Sequence, residues 1–154
     1  MTLEITKTLL DKIAAHLESA HPEEGAGFLL GRADAARRVV TAILALPNSG
    51  ADVVRHNRYL LTPQDMLRAE DEAERLGLDI IGVFHSHPDC PNVPSEFDRE
   101  WAMPWFSYII TRVDAGRAVS SRSWRLSDDR SHFSEEEILG SMGTEGVYPD
   151  VGVK

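Results

Sequence analysis

The chain has 154 residues, 42% hydrophobic and 27% charged, with a formal net charge of −9 at pH 7. That is the size and balance of one soluble globular domain with its own core, and no apolar run reaches the length of a membrane span. Lys and Arg are dispersed through an acidic chain, which argues against a nucleic-acid partner, and one cysteine, Cys90, excludes an intramolecular disulfide.

A cytoplasmic location is the expectation for such cysteine usage. The N-terminal MTLEITKTLLDK has no basic segment followed by an apolar one, so no signal peptide is expected. Leu3 and Ile5 alternate with polar neighbours, as in a short strand. From Lys7 to Ser19, Leu9, Leu10, Ile13 and Leu17 fall at helical spacing with Thr6 as cap, and His21-Pro22 ends the pattern. Gly27 to Gly31 reads as a buried strand and Val39 to Leu46 as another, broken by Pro47-Asn-Ser-Gly50. A long polar loop runs to about Arg58, and Tyr59-Leu60-Leu61 reads as a strand or its end.

Thr62-Pro-Gln-Asp65 is a strong helix start, with a threonine cap, proline at the first position and an acid three after the cap. That helix should run to Leu76 and stop at Gly77. Asp79 to His85 is the most apolar strand. Phe106–Val113 and Ala118–Leu126 are expected to pair through the turn at Asp114-Ala-Gly116. Phe133 to Met142, with Ser134 ahead of three glutamates, reads as a last short helix. Residues 1–142 form the expected domain, and residues 143–154 a tail loosened by its glycines. Strands mixed with a few helices indicate an α/β or α+β layered domain.

The chemistry concentrates in GVFHSHPDCPNVPSEFD, residues 82–98. Alternation along the strand puts Ile81, Val83, His85 and His87 on one face and Ile80, Gly82, Phe84 and Ser86 on the other. Both faces are apolar before the histidines, so the strand should be central and covered on both sides. Two imidazoles on one face, two residues apart, can bind one metal ion; equally, they can be two polar residues at a strand exit. Ser95-Glu-Phe-Asp98 also reads two ways. Serine followed three residues later by an acid is a helix cap, and Phe97 and Trp101 at helical spacing support a helix there. If the loop from Asp89 to Pro94 folds back, that same helix delivers Asp98 as a third ligand. Two nitrogens and a carboxylate leave one tetrahedral zinc position for water, the open geometry of a catalytic site.

His85-Ser-His-Pro88, six residues, then Ser95-x-x-Asp98 resembles the signature of the JAMM (JAB1/MPN/Mov34) metalloproteases. The resemblance extends upstream to Glu24-Gly-Ala-Gly-Phe-Leu-Leu-Gly31, where Gly27 lies three residues after the family's glutamate and so selects Glu24 over Glu23. It covers roughly Pro22 to Thr111. It departs at Ala26, where relatives often have cysteine, with no effect expected on chemistry. The resemblance implies an α/β fold of the cytidine-deaminase-like three-layer type, with a mixed central sheet flanked by helices. It implies one Zn2+ per chain with a bound water, held by His85, His87 and Asp98. Glu24 would be the general base, and Ser95 would donate a hydrogen bond to the oxyanion at the scissile carbonyl. It further implies a peptidase or isopeptidase, of the short bacterial stand-alone kind that acts at the C-terminus of a ubiquitin-like sulfur-carrier protein.

Other readings compete. The metallo-β-lactamase pattern His-x-His-x-Asp-His lacks its last histidine here, and amidohydrolase barrels need about 250 residues. A RadC-like protein would typically read His-Asn-His-Pro-Ser-Gly, against Ser86, Asp89 and Cys90 in this chain. A non-catalytic MPN-type interaction scaffold would have lost one or more ligands, and all five expected residues are present. Cys90 and Asp89 read as loop residues, Phe97, Trp101 and Trp105 as packing for the short helix or rim residues of a groove, and His16, His21, His56 and His132 have no partner spacing.

Overall fold

A computed structural model describes residues 2–34, 36–47 and 61–140. Within them the order is β1 (Thr2–Glu4), α1 (Lys7–Ala20), β2 (Ala26–Ala33), β3 (Arg37–Ala45), α2 (Pro63–Leu76), β4 (Asp79–Pro88), α3 (Glu96–Trp101), β5 (Ser107–Asp114), β6 (Arg117–Leu126) and β7 (Phe133–Leu139). The helices start where local chemistry puts them. Thr6 accepts a hydrogen bond from Leu9 N at 3.2 Å, and Thr62 and Asp65 form a reciprocal capping box ahead of Pro63. α2 ends at Gly77, whose φ of 70° lies in the left-handed region that glycine enters without a Cβ penalty.

The strands form one mixed sheet in the order β1-β3-β2-β4-β5-β6-β7, and the three-residue β1 pairs with both β3 and β7 to close it into a barrel. β4 sits between β2, antiparallel, and β5, parallel. On one face, Leu10, Ile13 and Leu17 of α1 pack with Leu29, Val40, Phe84, Ile109 and Ile138. On the other, Ala69 and Ala73 of α2 pack with Phe28, Leu30, Val83 and Tyr108. Both faces of β4 are therefore covered, as its apolar run predicts. Fully burying side chains the size of Phe84 or Leu29 contributes roughly 1.5–3 kcal/mol each, and that packing holds β4 in place. Among the described residues no helix is long and apolar enough to cross a membrane.

Two expectations are corrected. The segment from Phe133 is strand β7, not a helix. Glu136 and Ile138 are buried while Glu135 and Glu137 are exposed, a period of two. Ser134 ahead of three glutamates imitates a helix start, but pairing with β6 on one side and β1 on the other overrides that local preference. Glu136 enters the barrel because Ser123 Oγ donates to its Oε2 at 2.7 Å. Residues 141–142 of that expected helix, and the expected tail, lie outside the described residues.

The second correction concerns Ile81. The register between β2 and β4 shifts so that Leu29 faces Gly82 and Leu30 faces Ile80, leaving Ile81 opposite the bulge. Ile81 consequently joins Phe84 in the α1 core rather than sharing a face with Val83, and Ile80 packs on the Val83 side rather than with Phe84. The alternation of Val83, His85 and His87 on the α2 face survives, because the bulge precedes all of them. The polar loop expected before Arg58 and Tyr59-Leu60 lie outside the described residues, and Leu61 belongs to no strand.

Candidate metal centre

β4 runs four residues past Phe84, to Pro88, and carries both histidines inside the sheet. His85 is paired with Ala26 and Ile110, and His87 with Arg112. Both imidazoles are buried, at 1% and 6% exposure. The chain then reverses. Asp89, at φ 57°, donates its N–H to Val113 O at 2.8 Å. The Asn92 amide donates to Ser120 O and Oγ at 3.1 and 3.0 Å, and Trp124 Nε1 donates to Asn92 O at 3.2 Å. These bonds fold residues 89–94 back onto β6 and bring α3 up to the histidines.

α3 begins with the expected capping box. Ser95 Oγ accepts from Asp98 N at 3.1 Å, and Asp98 Oδ2 accepts from Ser95 N at 2.8 Å. Asp98 is only 5% exposed. Its Oδ1 lies 3.2 Å from His85 Nε2 and its Oδ2 lies 3.2 Å from His87 Nε2. One ligand atom from each residue falls within 4.8 Å of the other two, so His85, His87 and Asp98 form a buried cluster able to hold a metal ion.

The donor chemistry fits a cation. His87 Nδ1 is 2.7 Å from Pro91 O, and a carbonyl can only accept, so Nδ1 carries a hydrogen. A neutral His87 then points the lone pair of Nε2 at a carboxylate oxygen, and two acceptors face each other across 3.2 Å. Only a proton or a metal ion satisfies both. A backbone carbonyl that fixes the tautomer behind an imidazole is the usual support of a metal-ligating histidine. The protonation energetics agree. Burial holds the His85 pKa below its ordinary value against the pull of Asp98. Burial lowers that of His87 too, but Asp98, the Pro91 carbonyl and the Glu24 charge outweigh it and leave it raised. For Asp98, burial is overcome by the two imidazoles and the Ser95 N–H, which hold the carboxyl far below the usual carboxylate range.

The two remaining candidates flank the cluster. Ser95 is exposed, with its oxygen accepting from the helix and its hydroxyl hydrogen directed by no bond to a described residue. Glu24 is half-buried in the connector between α1 and β2. Its neighbour Gly25 donates to Ser86 Oγ at 2.9 Å and accepts from Ser86 N at 3.1 Å, on the residue between the two histidines. Glu24 is near enough that its charge acts on both His87 and Cys90.

Sequence reasoning missed one pair. His21 Nε2 donates to Asp89 Oδ2 at 2.9 Å, across 68 positions of chain. Nothing in the spacing of either residue signals the other. Of the two readings of the aromatic residues in and after α3, the groove reading fits better. Phe97 and Trp101 do contact each other, with ring centroids 6.1 Å apart. Yet Trp101 and Trp105 are both 62% exposed and line an apolar groove of about 420 Å3 with Val83, Phe97, Met103 and Tyr108. They are groove residues more than packing. His56 lies outside the described residues.

Two buried imidazoles opposite one carboxylate form a cluster able to hold a metal ion. Residues 6–127 match the family described as prokaryotic homologs of the JAB domain, and the chain belongs to that family. A Thermus thermophilus protein named "Probable TtuB-protein conjugate cleaving protease" is 34% identical over 121 residues, 77% of this chain and 75% of that one. A Haloferax volcanii protein named "Desampylase" is 33% identical over 127 residues, 79% of this chain and 87% of that one. The solution structure of a Desulfitobacterium hafniense protein superposes with a TM-score of 0.77 at 30% identity, covering 90% of this chain and 92% of that one.

Proposed function

We propose that the protein is a zinc-dependent peptidase or isopeptidase that hydrolyses an amide bond at the C-terminus of a ubiquitin-like sulfur-carrier protein. The observation that carries this reading is the pair of imidazole nitrogens set against opposite oxygens of Asp98. Membership of the JAB family makes the chemistry hydrolytic, and the names of the Thermus and Haloferax relatives support a protein conjugate as substrate.

His85, His87 and Asp98 would hold the zinc, which when bound supplies Lewis acidity and lowers the pKa of water toward neutrality. Glu24 takes the proton from the attacking water and returns it to the leaving amine. Ser95 turns its hydroxyl hydrogen toward the carbonyl oxygen as negative charge develops there. The apolar groove along α3 offers surface for side chains next to the scissile bond. The same fold supports the three-layer reading, with α1 and α2 on opposite faces of the sheet. A single cysteine and an acidic chain support a cytoplasmic protein with no nucleic-acid partner.

The test uses purified protein and a sulfur-carrier protein joined through its C-terminal Gly-Gly to a lysine side chain. About one zinc per chain and cleavage after the second glycine, abolished by a chelator and restored by zinc, are the expected results. Cleavage that persists after complete metal removal, or metal-loaded protein inert toward such conjugates, overturns the reading.

A further inference from the structure

Glu24 belongs to no helix or strand, so something must place it. The connector that carries it, residues 21–25, is tied at both ends to β4 and its exit. At one end Gly25 exchanges two hydrogen bonds with Ser86. At the other, His21 Nε2 donates to Asp89 Oδ2 at 2.9 Å. Ser86 and Asp89 bracket His87 in sequence. The connector therefore arches beside that ligand, with Glu24 between its two anchors.

Asp89 is itself fixed from two directions. Its N–H donates to Val113 O, and its Oδ1 accepts from Ala115 N at 2.8 Å in the turn between β5 and β6. Its left-handed φ of 57° is held by those bonds. One carboxylate thus joins the connector carrying Glu24, the loop carrying Pro91 that orients His87, and the turn that ends β5. His21 is 19% exposed, and Asp89 is 56% exposed. A side-chain hydrogen bond this open stabilises a fold weakly, so global stability does not account for the arrangement. It does account for local order at a point where catalysis needs it, since a base displaced by about 1 Å can cost about 10²-fold in rate.

We propose that His21 and Asp89 are positioning residues, whose hydrogen bond sets where Glu24 stands relative to His85, His87 and Asp98. The inference rests on the reading of Glu24 as general base. The anchor through Gly25 is backbone and hydroxyl, whereas the anchor through His21 is a single side-chain bond. Loss of the His21 side chain leaves that end held only to the end of α1, through Glu23 N and Ala20 O at 2.9 Å, and no longer to the β4 exit.

The experiment compares His21→Ala, His21→Gln and Asp89→Ala on the metal-loaded full chain with the Gly-Gly–lysine conjugate above. Glutamine places an N–H near the position of Nε2, so it tests the bond rather than the ring. His21→Ala is expected to lower kcat about 10- to 100-fold with KM within about two-fold and zinc content unchanged, while His21→Gln recovers most of the rate. The His21→Ala/Asp89→Ala double variant should be no slower than the slower single variant. In a Glu24→Gln background, His21→Ala should leave the residual rate unchanged. Amide hydrogen exchange on the same metal-loaded samples should speed up at residues 21–25 in His21→Ala and stay unaltered in the α1 core.

A kcat per zinc-loaded chain that survives His21→Ala overturns the proposal, as does failure of His21→Gln to rescue or exchange that rises throughout the fold. If Glu24→Gln itself retains the full rate, the assignment of the base falls first. If Glu24→Gln is inactive and His21→Ala is fully active, only the clamp falls.

Discussion

α2 and α3 start with the same device. Thr62-x-x-Asp65 and Ser95-x-x-Asp98 both form complete capping boxes, each acid accepting from its cap residue's N–H and each hydroxyl accepting from the acid's own N–H. The Thr62 and Ser95 bonds match to within 0.1 Å, at 3.1 and 3.1 Å on one leg and 2.9 and 2.8 Å on the other. What differs is the far side of the carboxylate. Asp65 is half-buried at the edge of α2, whereas Asp98 is buried against two imidazoles. A cap therefore does not keep an acid from meeting a second set of partners. In α3 the cap orients Asp98 toward the imidazoles, because the N–H of Ser95 holds one oxygen and so directs the plane of the carboxylate.

The sharpest way to break this comparison is to change charge and keep the cap. Asp98→Asn retains an oxygen that can accept from Ser95 N, and Asp65→Asn does the same for Thr62. Asp98→Asn is expected to lose stoichiometric zinc and to lower kcat/KM by at least about 10³-fold. Asp65→Asn should leave both unchanged. Elemental analysis of the two purified proteins, with turnover on one conjugate, gives the answer. Equal zinc in both would remove Asp98 from the ligand set.

Glu24→Gln comes next in size. The amide keeps the shape of the side chain and removes its basicity, so zinc content and KM should hold while kcat falls about 10²- to 10⁴-fold. A rate within a few-fold of the parent protein would free Glu24 from proton transfer and leave the water to be activated by some other group.

The parts of the molecule that could be read in the sequence are those set by short-range chemistry. The boundaries of α2 follow from Thr62, Pro63 and Gly77, all local, and they match. Ser95 to Asp98 is legible as a cap, and the same cap sets Asp98 against the two imidazoles that the motif pairs with it. β7 is misread because its local signal, Ser134 ahead of three glutamates, is a helix signal, and only partners on β6 and β1 make it a strand. Ile80 and Ile81 are misplaced because a bulge in a distant pairing turns both over, which no period in the sequence records. His21 and Asp89 meet across 68 positions through the closure of two loops, and neither loop has a pattern of its own. The family motif conveys that His85, His87 and Asp98 come together, but not what holds them there.

Ser95→Ala tests the shared atoms directly. It removes the acceptor for Asp98 N and the hydroxyl donor at the rim of the cluster together. Loss of one donor to developing charge is worth about 10²- to 10³-fold in kcat. Ser95→Asn separates the roles, since asparagine is as good a cap as serine but presents a different donor geometry to substrate. If Ser95→Asn restores helix stability without restoring kcat, the hydroxyl acts on the reaction; if both return together, Ser95 works only by orienting Asp98.

The smallest expected effect is Thr62→Ala, and it calibrates the rest. Alanine there strips the same acceptor from Asp65 N that Ser95→Ala strips from Asp98 N. Among the described residues no metal-binding cluster includes Asp65, so the expected loss is that of the cap, about 1 kcal/mol. For a chain of this length that is a fall in Tm of roughly 2–4 °C. Thermal unfolding of Thr62→Ala and of Ser95→Ala, both free of zinc, should give similar shifts, because the two boxes are the same structure. A much larger shift for Ser95→Ala without zinc would mean that its cap also offsets the burial of Asp98, since the charge of that carboxylate is then left with one fewer compensating dipole. Turnover of zinc-loaded Thr62→Ala should match the parent protein, and any loss there would show that α2 reaches the reaction by a route other than its cap.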